Sequence, residues 1–305
     1  MTGFVFFLFV LLIMRDITWY AVYGVSQLLG INSWYLDPKN LTILSHTNRI
    51  IILFSIVLSC FSWYQGTKVP EVKNIYLSSE KIDKEIVIAQ LSDLHINRAT
   101  SVQRVQELVN KVNMLNPDVI VLTGDIIDDN VLFIEDQLAA LKELSAPYGS
   151  YSIMGNHEFY HDVYAAKRTL DSLGLKFLFN GGIHVQNSNI YISGIPDMNT
   201  MYERVNLWRT VYKSKKEDYK ILLSHSPTII DSLSKGLFDL VLSGHTHGGQ
   251  IFPFHWLIKQ ANHYLAGQYH VNGTELYVSR GAGAWGPQMR FLAPSDITLI
   301  HLSKK

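Results

Sequence analysis

From Ile86 onward, short apolar runs alternate with stretches in which apolar residues recur at helical spacing. "IVIAQL" (residues 86–91) and "DVIVLTGD" (118–125) read as buried strands. Between them Val102, Val105, Leu108, Val109, Val112 and Leu115 fall on one helical face, so the stretch predicts a strand–helix–strand unit. "SYSIMGN", "IYISGIPD", "KILLSHS" and "FDLVLSGH" predict further strands, and helices are expected around residues 133–144, 164–173 and 202–212. In "QYHVNGTELYVS" an Asn-Gly pair separates two β-rich runs, which signals a hairpin. No repeat or low-complexity segment interrupts the pattern. The expectation is a layered α/β sandwich with mixed sheets.

The first seventy residues are different. "GFVFFLFVLLIM" (3–14) is an uncharged apolar run of 12 residues that stops at Arg15 and Asp16. "IIILFSIVLSCFSWY" (50–64) is a run of 15, flanked by Arg49 and Lys68. A membrane-spanning helix takes about 17–25 residues, so each run is short alone. The first lengthens through "ITWYAVYGVSQLLG" if Arg15 and Asp16 find partners. The second extends into Trp63 and Tyr64 as an aromatic belt. A cleaved signal peptide fits poorly, because the charge follows the apolar run instead of preceding it. Residues 1–69 are therefore expected to be a two-pass anchor in the cell (inner) membrane, with a domain over 70–305. The rival is a helical hairpin buried in a soluble protein. Orientation stays open: Arg15, Lys39 and Arg49 lie between the runs, while Lys68, Lys73, Lys81 and Lys84 crowd the far side.

Composition narrows the chemistry. The 305 residues are enough for one large domain or two modest ones, and 26 basic residues balance 26 acidic ones. With no overall basic field, nucleic-acid binding is not expected. Cys60 is the only cysteine, which excludes an intrachain disulfide and a thiolate cluster. A metal would have to be held by His, Asp, Glu or Asn.

Those residues gather at strand ends. "SDLH", "TGDIIDD", "MGNHE", "SHSP" and "SGHTH" each follow a predicted strand directly, where α/β folds collect their chemistry. One such Asp or His is usually a loop cap; five together point to ligands. Asp93 and His95 stand one residue apart, so at an extended strand end both side chains point to one side, and His245 and His247 repeat that spacing. Gly248 and Gly249 let the backbone pass close by. Asp125 offers two carboxylate oxygens able to bridge two cations, Asn156 an amide oxygen, and His225 another imidazole. Such donors match two divalent ions about 3.5–4 Å apart, the arrangement that clamps an in-line displacement at phosphorus. The mixture suits Mn, Fe or Zn over a calcium cage.

"SDLHIN", "VLTGDIIDD", "MGNHE", "LLSHSP" and "LSGHTHGGQ", in that order, resemble the five signature blocks of the calcineurin-like metallophosphoesterase superfamily. The resemblance covers about residues 85–302. The tail "SRGAGAWGPQMRFLAPSDITLI" and the apolar N-terminus look most similar to its bacterial, membrane-associated YkuE-like branch. The resemblance implies a two-sheet αββα sandwich flanked by helices. It also implies that Asp93, His95, Asp125 and His247 hold one metal and that Asp125, Asn156, His225 and His245 hold the second. His157 is implied as the catalytic histidine beside the phosphate. Asp128, Asp129 and Glu158 are expected to be solvated or to orient the ligands. His161, His184, His255, His263, His270 and His301 lack the strand-end context. Arg98 and Arg280 are candidates for meeting the substrate's phosphate, and "FPFHWL" is either core or a rim facing lipid.

The leading expectation is a membrane-associated phosphohydrolase in which a hydroxide bridging two metals attacks a phosphate ester or pyrophosphate. A lipid-linked substrate is expected from the anchor, for instance a UDP-2,3-diacylglucosamine-type lipid A precursor. The alternatives are a phosphodiesterase or phosphomonoesterase on a soluble substrate, or a non-catalytic membrane scaffold of the same fold. The complete ligand set argues against the scaffold. A structural or transport membrane protein does not fit, because two short runs cannot line a pathway.

Overall fold

The computed structural model describes residues 2–31, 33–198 and 204–305. Helices α1 (Thr2–Leu28) and α2 (Leu41–Thr67) come first, each of 27 residues and each long and apolar enough to cross a membrane. The charges that interrupt α1 do find partners. Arg15 Nε lies 2.7 Å from Asp16 Oδ1, and Nη1 donates to Asn48 and Thr47 of α2 at 2.5 and 3.2 Å. Asn40 caps α2, its Oδ1 accepting from the amides of Thr42 and Ile43.

The remaining chain runs β1 (Glu71–Ser79), β2 (Ile86–Leu91), α3 (Val102–Met114), β3 (Val119–Thr123), α4 (Glu135–Ala139), β4 (Ser150–Ile153), α5 (Val163–Ser172), β5 (Leu175–Phe177), β6 (Gly181–His184), β7 (Ile190–Gly194), α6 (Leu207–Val211), β8 (Tyr219–Leu223), β9 (Leu240–Ser243), α7 (His255–Asn262), β10 (Gly267–Val271), β11 (Thr274–Val278) and β12 (Asp296–Lys304). One mixed sheet has the order β1-β12-β2-β3-β4-β5 and the other β10-β11-β9-β8-β7-β6.

The strand period of two decides which layer each side chain enters. Ile88, Val119, Val121 and Ile153 meet Ile192, Ile221, Leu240 and Leu242 between the sheets. Their neighbours Ala89, Leu91, Ile120 and Leu122 face outward onto Val105, Leu108, Val109 and Val112 of α3. On the other sheet Leu222, Val241 and Leu276 turn outward to Ile229, Ile230 and Phe238. Strands covered on both faces need continuous apolar sequence, which is why "IVIAQL" and "VIVLT" do not alternate. The architecture is the αββα sandwich of two mixed sheets.

The stretch at 133–144 is not one helix. Ile134 (φ −133°, ψ 21°) breaks it, and α4 sits between two short 3-10 turns while Leu138 and Leu141 still reach the core. The helix expected over 202–212 is described only from residue 204, and α6 starts at Leu207 because Asn206 Oδ1 caps the amide of Arg209. Asn272 and Gly273 form the expected hairpin turn, both with positive φ.

Topology sets the place of the chemistry. β2, β3 and β4 are adjacent and parallel in one sheet, β8 and β9 in the other. The five loops leaving their carboxyl ends converge on one edge of the sandwich. α1 and α2 reach that edge as well. Phe7 packs with Ile251 and Met289, and the ring of Phe291 meets Phe7 and Phe61 edge-on at 5.5 and 6.3 Å. Ser62 O accepts from Arg290 N at 2.8 Å, and the Arg104 guanidinium donates to the terminal carbonyls of Gly66, Thr67 and Lys68.

Candidate metal centre

The strand-end loops bring the side chains together by a route other than the extended geometry expected from spacing. Asp93 (φ 53°), His95 (46°), Asp125 (50°), His245 (72°) and His247 (51°) all have left-handed backbones. That conformation costs a non-glycine residue about 1–2 kcal/mol, and it persists where surrounding structure enforces it. Here the Asp93, His95 and Ile96 amides donate to Gly124, Asp125 and Ile126 carbonyls at 3.0, 3.0 and 2.9 Å, locking the two loops together. The tight turns, rather than strand alternation, aim both members of each pair inward. Gly155 is required at this crossing, since a Cβ there would run into Asp125 Oδ1.

Three groups of candidate donors result: Asp93, His95 and His247; His95, Asp125 and His157; and Asp125, His225 and His245. Within each, the donor atoms lie inside 4.8 Å of one another. Asp125 Oδ2 is central, 3.1 Å from His225 Nε2 and 3.7 Å from His95 Nε2. Its other oxygen accepts from the His157 amide at 2.9 Å, so one carboxylate oxygen, not two, faces both groups. His95 Nε2 and His247 Nε2 stand 3.0 Å apart, and His245 Nδ1 and His225 Nε2 3.2 Å apart. Asp93 Oδ1 is 3.4 Å from His247 Nε2 and accepts from the His245 amide at 3.0 Å.

The donor set fits divalent cations. Asn156 Oδ1 is buried without a hydrogen-bond partner, while its amide nitrogen donates to Tyr160 Oη at 2.9 Å. His225 Nδ1 sits 2.8 Å from Thr123 O, which holds a proton there, and Nε2 turns to Asp125 Oδ2 at 3.1 Å. Burial disfavours the ring's charge, but Asp125 outweighs that and raises its pKa well above the ordinary range, so a cation at Nε2 would take the place of the Nε2 proton. Burial, reinforced by His225, depresses the His245 pKa to about 4. Burial followed by His95 and Arg290 puts His247 well below the ordinary range. Both rings are thus neutral, the form that ligates metal. Burial would raise the Asp125 carboxyl, but His225, then His95 and His157, hold it ionised below its usual range.

His157 differs from these. Its Nδ1 is 2.6 Å from Asp128 Oδ1, and its Nε2 stands 4.0 Å from Asp125 Oδ2 and faces a cavity. Burial disfavours its charge, but Asp128 and then Asp125 outweigh that and raise its pKa. The cavity, about 420 Å³, is lined by Asp125, Asn156, His157, His245 and His247 on one side. Thr2, Gly3 and Phe6 of α1 line it as well, with Phe254, Ile258 and Trp285. "FPFHWL" is therefore rim and not core: Trp256 and Leu257 are 63% and 60% exposed.

Several side chains stand elsewhere than expected. Glu158, by contrast, takes the second of its two expected roles: it is 1% exposed and holds the Asp125 loop, accepting from the amides of Asp125, Ile126, Ile127 and Gly155 at 2.6–3.2 Å. Burial, then the charge of Asp125, pushes its pKa up to about 7. Arg98 pairs with Asp129 at 2.8 Å on the surface, and Arg280 lines a different cavity. Arg290 has no warning in the sequence. Fully buried, its guanidinium donates to the carbonyls of His247, Arg280, Gly281, Gly283 and Ala293, and Nη2 lies 3.2 Å from His247 Nδ1. Those partners are carbonyls, which carry no residue signature. None of His161, His184, His255, His263, His270 and His301 belongs to the three donor groups.

The profile of the family described as calcineurin-like phosphoesterase matches residues 86–249. An uncharacterized metallophosphoesterase of Helicobacter pylori is 37% identical over 85% of this chain and 71% of its own length. The uncharacterized metallophosphoesterase YkuE of Bacillus subtilis is 32% identical over 70% of this chain and 78% of its own. A Danio rerio protein described as a transmembrane protein with metallophosphoesterase domain is 30% identical over 84% of this chain and 62% of its own. The family match opens on the first residue of β2 and closes two residues past His247, and on this ground, together with the His/Asp cluster that indicates a dimetal centre, the chain belongs to the calcineurin-like phosphoesterases and is a metal-dependent phosphoester hydrolase.

Proposed function

We propose that the chain is a two-pass phosphohydrolase of the cell membrane whose substrate is a phosphate ester or pyrophosphate bearing an apolar tail. A UDP-2,3-diacylglucosamine is one instance of that class. The observation that carries this reading is the shared cavity, in which the candidate metal donors and the first turns of α1 line one mostly apolar space. The anchor is supported by exposure: only 6% of the most apolar window of either helix is buried, against what a soluble core hairpin requires. The name of the Danio rerio relative agrees. Because the start of α1 and the end of α2 both abut the loop around Met289, a spanning hairpin leaves residues 33–40 on the opposite side of the bilayer from the catalytic domain.

Asp93, His95, Asp125 and His247 would hold one cation, and Asp125, Asn156, His225 and His245 the other, with Mn, Fe or Zn suited to the set. Such cations activate water and neutralise charge on the phosphoryl oxygens. His157 is not a ligand in this reading. Held by Asp128 through Nδ1, it presents Nε2 to the cavity and donates a proton to a phosphoryl or departing oxygen. Glu158 keeps the Asp125 loop in its strained turn by collecting its amides. Phe6, Phe254, Ile258 and Trp285 offer apolar walls to the tail.

The test compares phosphate esters with and without an acyl chain, using the full chain in nanodiscs reconstituted with each metal. Burial of a methylene is worth about 0.8 kcal/mol, so two or three in the cavity raise kcat/KM by roughly tenfold or more. Phe6→Ser lowers that gain and leaves nitrophenyl phosphate hydrolysis near wild type. Equal kcat/KM for acylated and unacylated esters would overturn the lipid-linked class, and full release by carbonate would overturn the anchor.

A further inference from the structure

A second cavity, of about 290 Å³, lies across α7 from the metal centre. Phe254, Ile258 and Asn262, at four-residue intervals, line the first cavity, whereas His255 and Lys259 line the second. The turn after β9 divides in the same way, His247 and Gly249 to one side and Gly248 to the other. The two spaces are neighbours separated by a helix and a turn.

Arg280, Lys259 and His255 converge on the second cavity, and no carboxylate lines it. Among the described residues, no hydrogen bond or ion pair engages the guanidinium of Arg280 or the ammonium of Lys259, and His255 Nδ1 is buried with no partner. Asp296, the acid nearest in sequence that contacts Arg280, accepts from the Arg280 amide at 3.3 Å and from Ser279 Oγ at 2.7 Å, and it stays outside the cavity wall. Two cations and an imidazole facing one space favour an anion, and a guanidinium fork fits phosphate oxygens in particular. The remaining walls are apolar, with Phe252, Leu265, Phe291 and Leu292 among them. Leu292 is 71% exposed at the rim, beside α7 with its exposed Trp256 and Leu257. A free anion has no use for that surround; a headgroup with its chains does.

We propose that this cavity is a second phosphate site, separate from the metal centre, which takes the headgroup of an anionic phospholipid and seats α7 on the bilayer surface. The inference rests on the membrane reading above. It gives Arg280 a phosphate to meet, though not the one being hydrolysed.

The test uses full-length protein in a non-ionic detergent. Native mass spectrometry measures retention of phosphatidylglycerol, phosphatidylcholine of the same chains, and inorganic phosphate alone. Wild type is expected to retain phosphatidylglycerol and not phosphatidylcholine, with retention about tenfold weaker in Lys259→Gln and in Arg280→Gln, the loss typical of one charge-assisted bond. Lys259 is exposed, so its substitution stays informative if Arg280→Gln fails to fold. Equal retention by wild type and Lys259→Gln overturns the site. Binding of inorganic phosphate that depends on Lys259, without retention of phosphatidylglycerol, overturns the lipid as its source. Flotation with phosphatidylcholine vesicles separates the two readings: a chain that does not float has lost the anchor, whereas one that floats but selects no anionic lipid has lost only the headgroup site.

Discussion

Asp128 stands between two histidines: Oδ1 lies 2.6 Å from His157 Nδ1, and Oδ2 lies 3.5 Å from His95 Nδ1, which makes no hydrogen bond. One carboxylate thereby orients the candidate proton donor and sets a negative charge beside a candidate metal donor. Asp128 favours the protonated His157 ring, so its removal lowers the His157 pKa. In Asp128→Asn the alkaline limb of the kcat profile is expected to move to lower pH, with kcat reduced about 10–100-fold at pH 8. A pH–rate profile of wild type and variant checks this; an unmoved alkaline limb separates Asp128 from the titration.

Asp125→Ala is expected to lower occupancy at both metal positions and abolish hydrolysis, because Oδ2 faces both donor groups. Asp129→Ala, which loses the surface pair with Arg98 and the bonds from the Arg98 and Asn130 amides but faces none of the donor groups, is expected to keep both metals. Metal content by mass spectrometry decides, and full occupancy in Asp125→Ala would remove it from the centre.

For His157→Asn, metal content stays near normal and kcat falls about 10²–10⁴-fold on substrates with poor leaving groups. The loss shrinks for nitrophenyl esters if the ring protonates the departing oxygen, and is uniform if it stabilises the phosphoryl oxygens. Lost metal would instead make His157 a ligand, as its place in one donor group allows.

Glu158 titrates near 7 in the folded chain, above its ordinary value of 4.5. Between those values the folded chain keeps a proton that the unfolded chain releases. Its contribution to stability is therefore full below about pH 4.5 and is lost as pH rises toward about 7. In chelator-treated protein, the wild-type Tm is expected to fall relative to Glu158→Gln across that window. Parallel Tm curves would mean that Glu158 is ionised throughout.

The donors were legible because strand ends in a parallel arrangement share an edge: Asp93, Asp125, Asn156, His225 and His245 follow four- to six-residue apolar runs that announce themselves. Their backbone was not legible. Spacing alone suggested extended pairs at 93/95 and 245/247, whereas the turns are left-handed and held by amides of a neighbouring loop. β1 is illegible for a related reason: "EVKNIYLSS" is a half-exposed strand whose partner, β12, lies more than two hundred residues away. Glu158 and Arg290 fail in the same manner, since both are satisfied by backbone atoms. Sequence records which side chains are present; it does not record which amides and carbonyls they will meet.

The bond from Arg290 N to Ser62 O changes what it means to remove the hairpin. The amide of Arg290 rests on α2, and its side chain steadies the loop of His247, while α1 supplies a wall of the cavity. A chain cut at Val69 therefore loses more than its tether. It is expected to keep the donors and to turn over small soluble esters, but it lacks the α1 residues that line the cavity, and its final histidine stands on a loop with one support fewer. Substrate preference measured on such a fragment reports the chemistry of the metal edge alone. On the proposed reading, exchanging hairpins between relatives, with the sandwich left untouched, is expected to carry substrate selectivity with the hairpin.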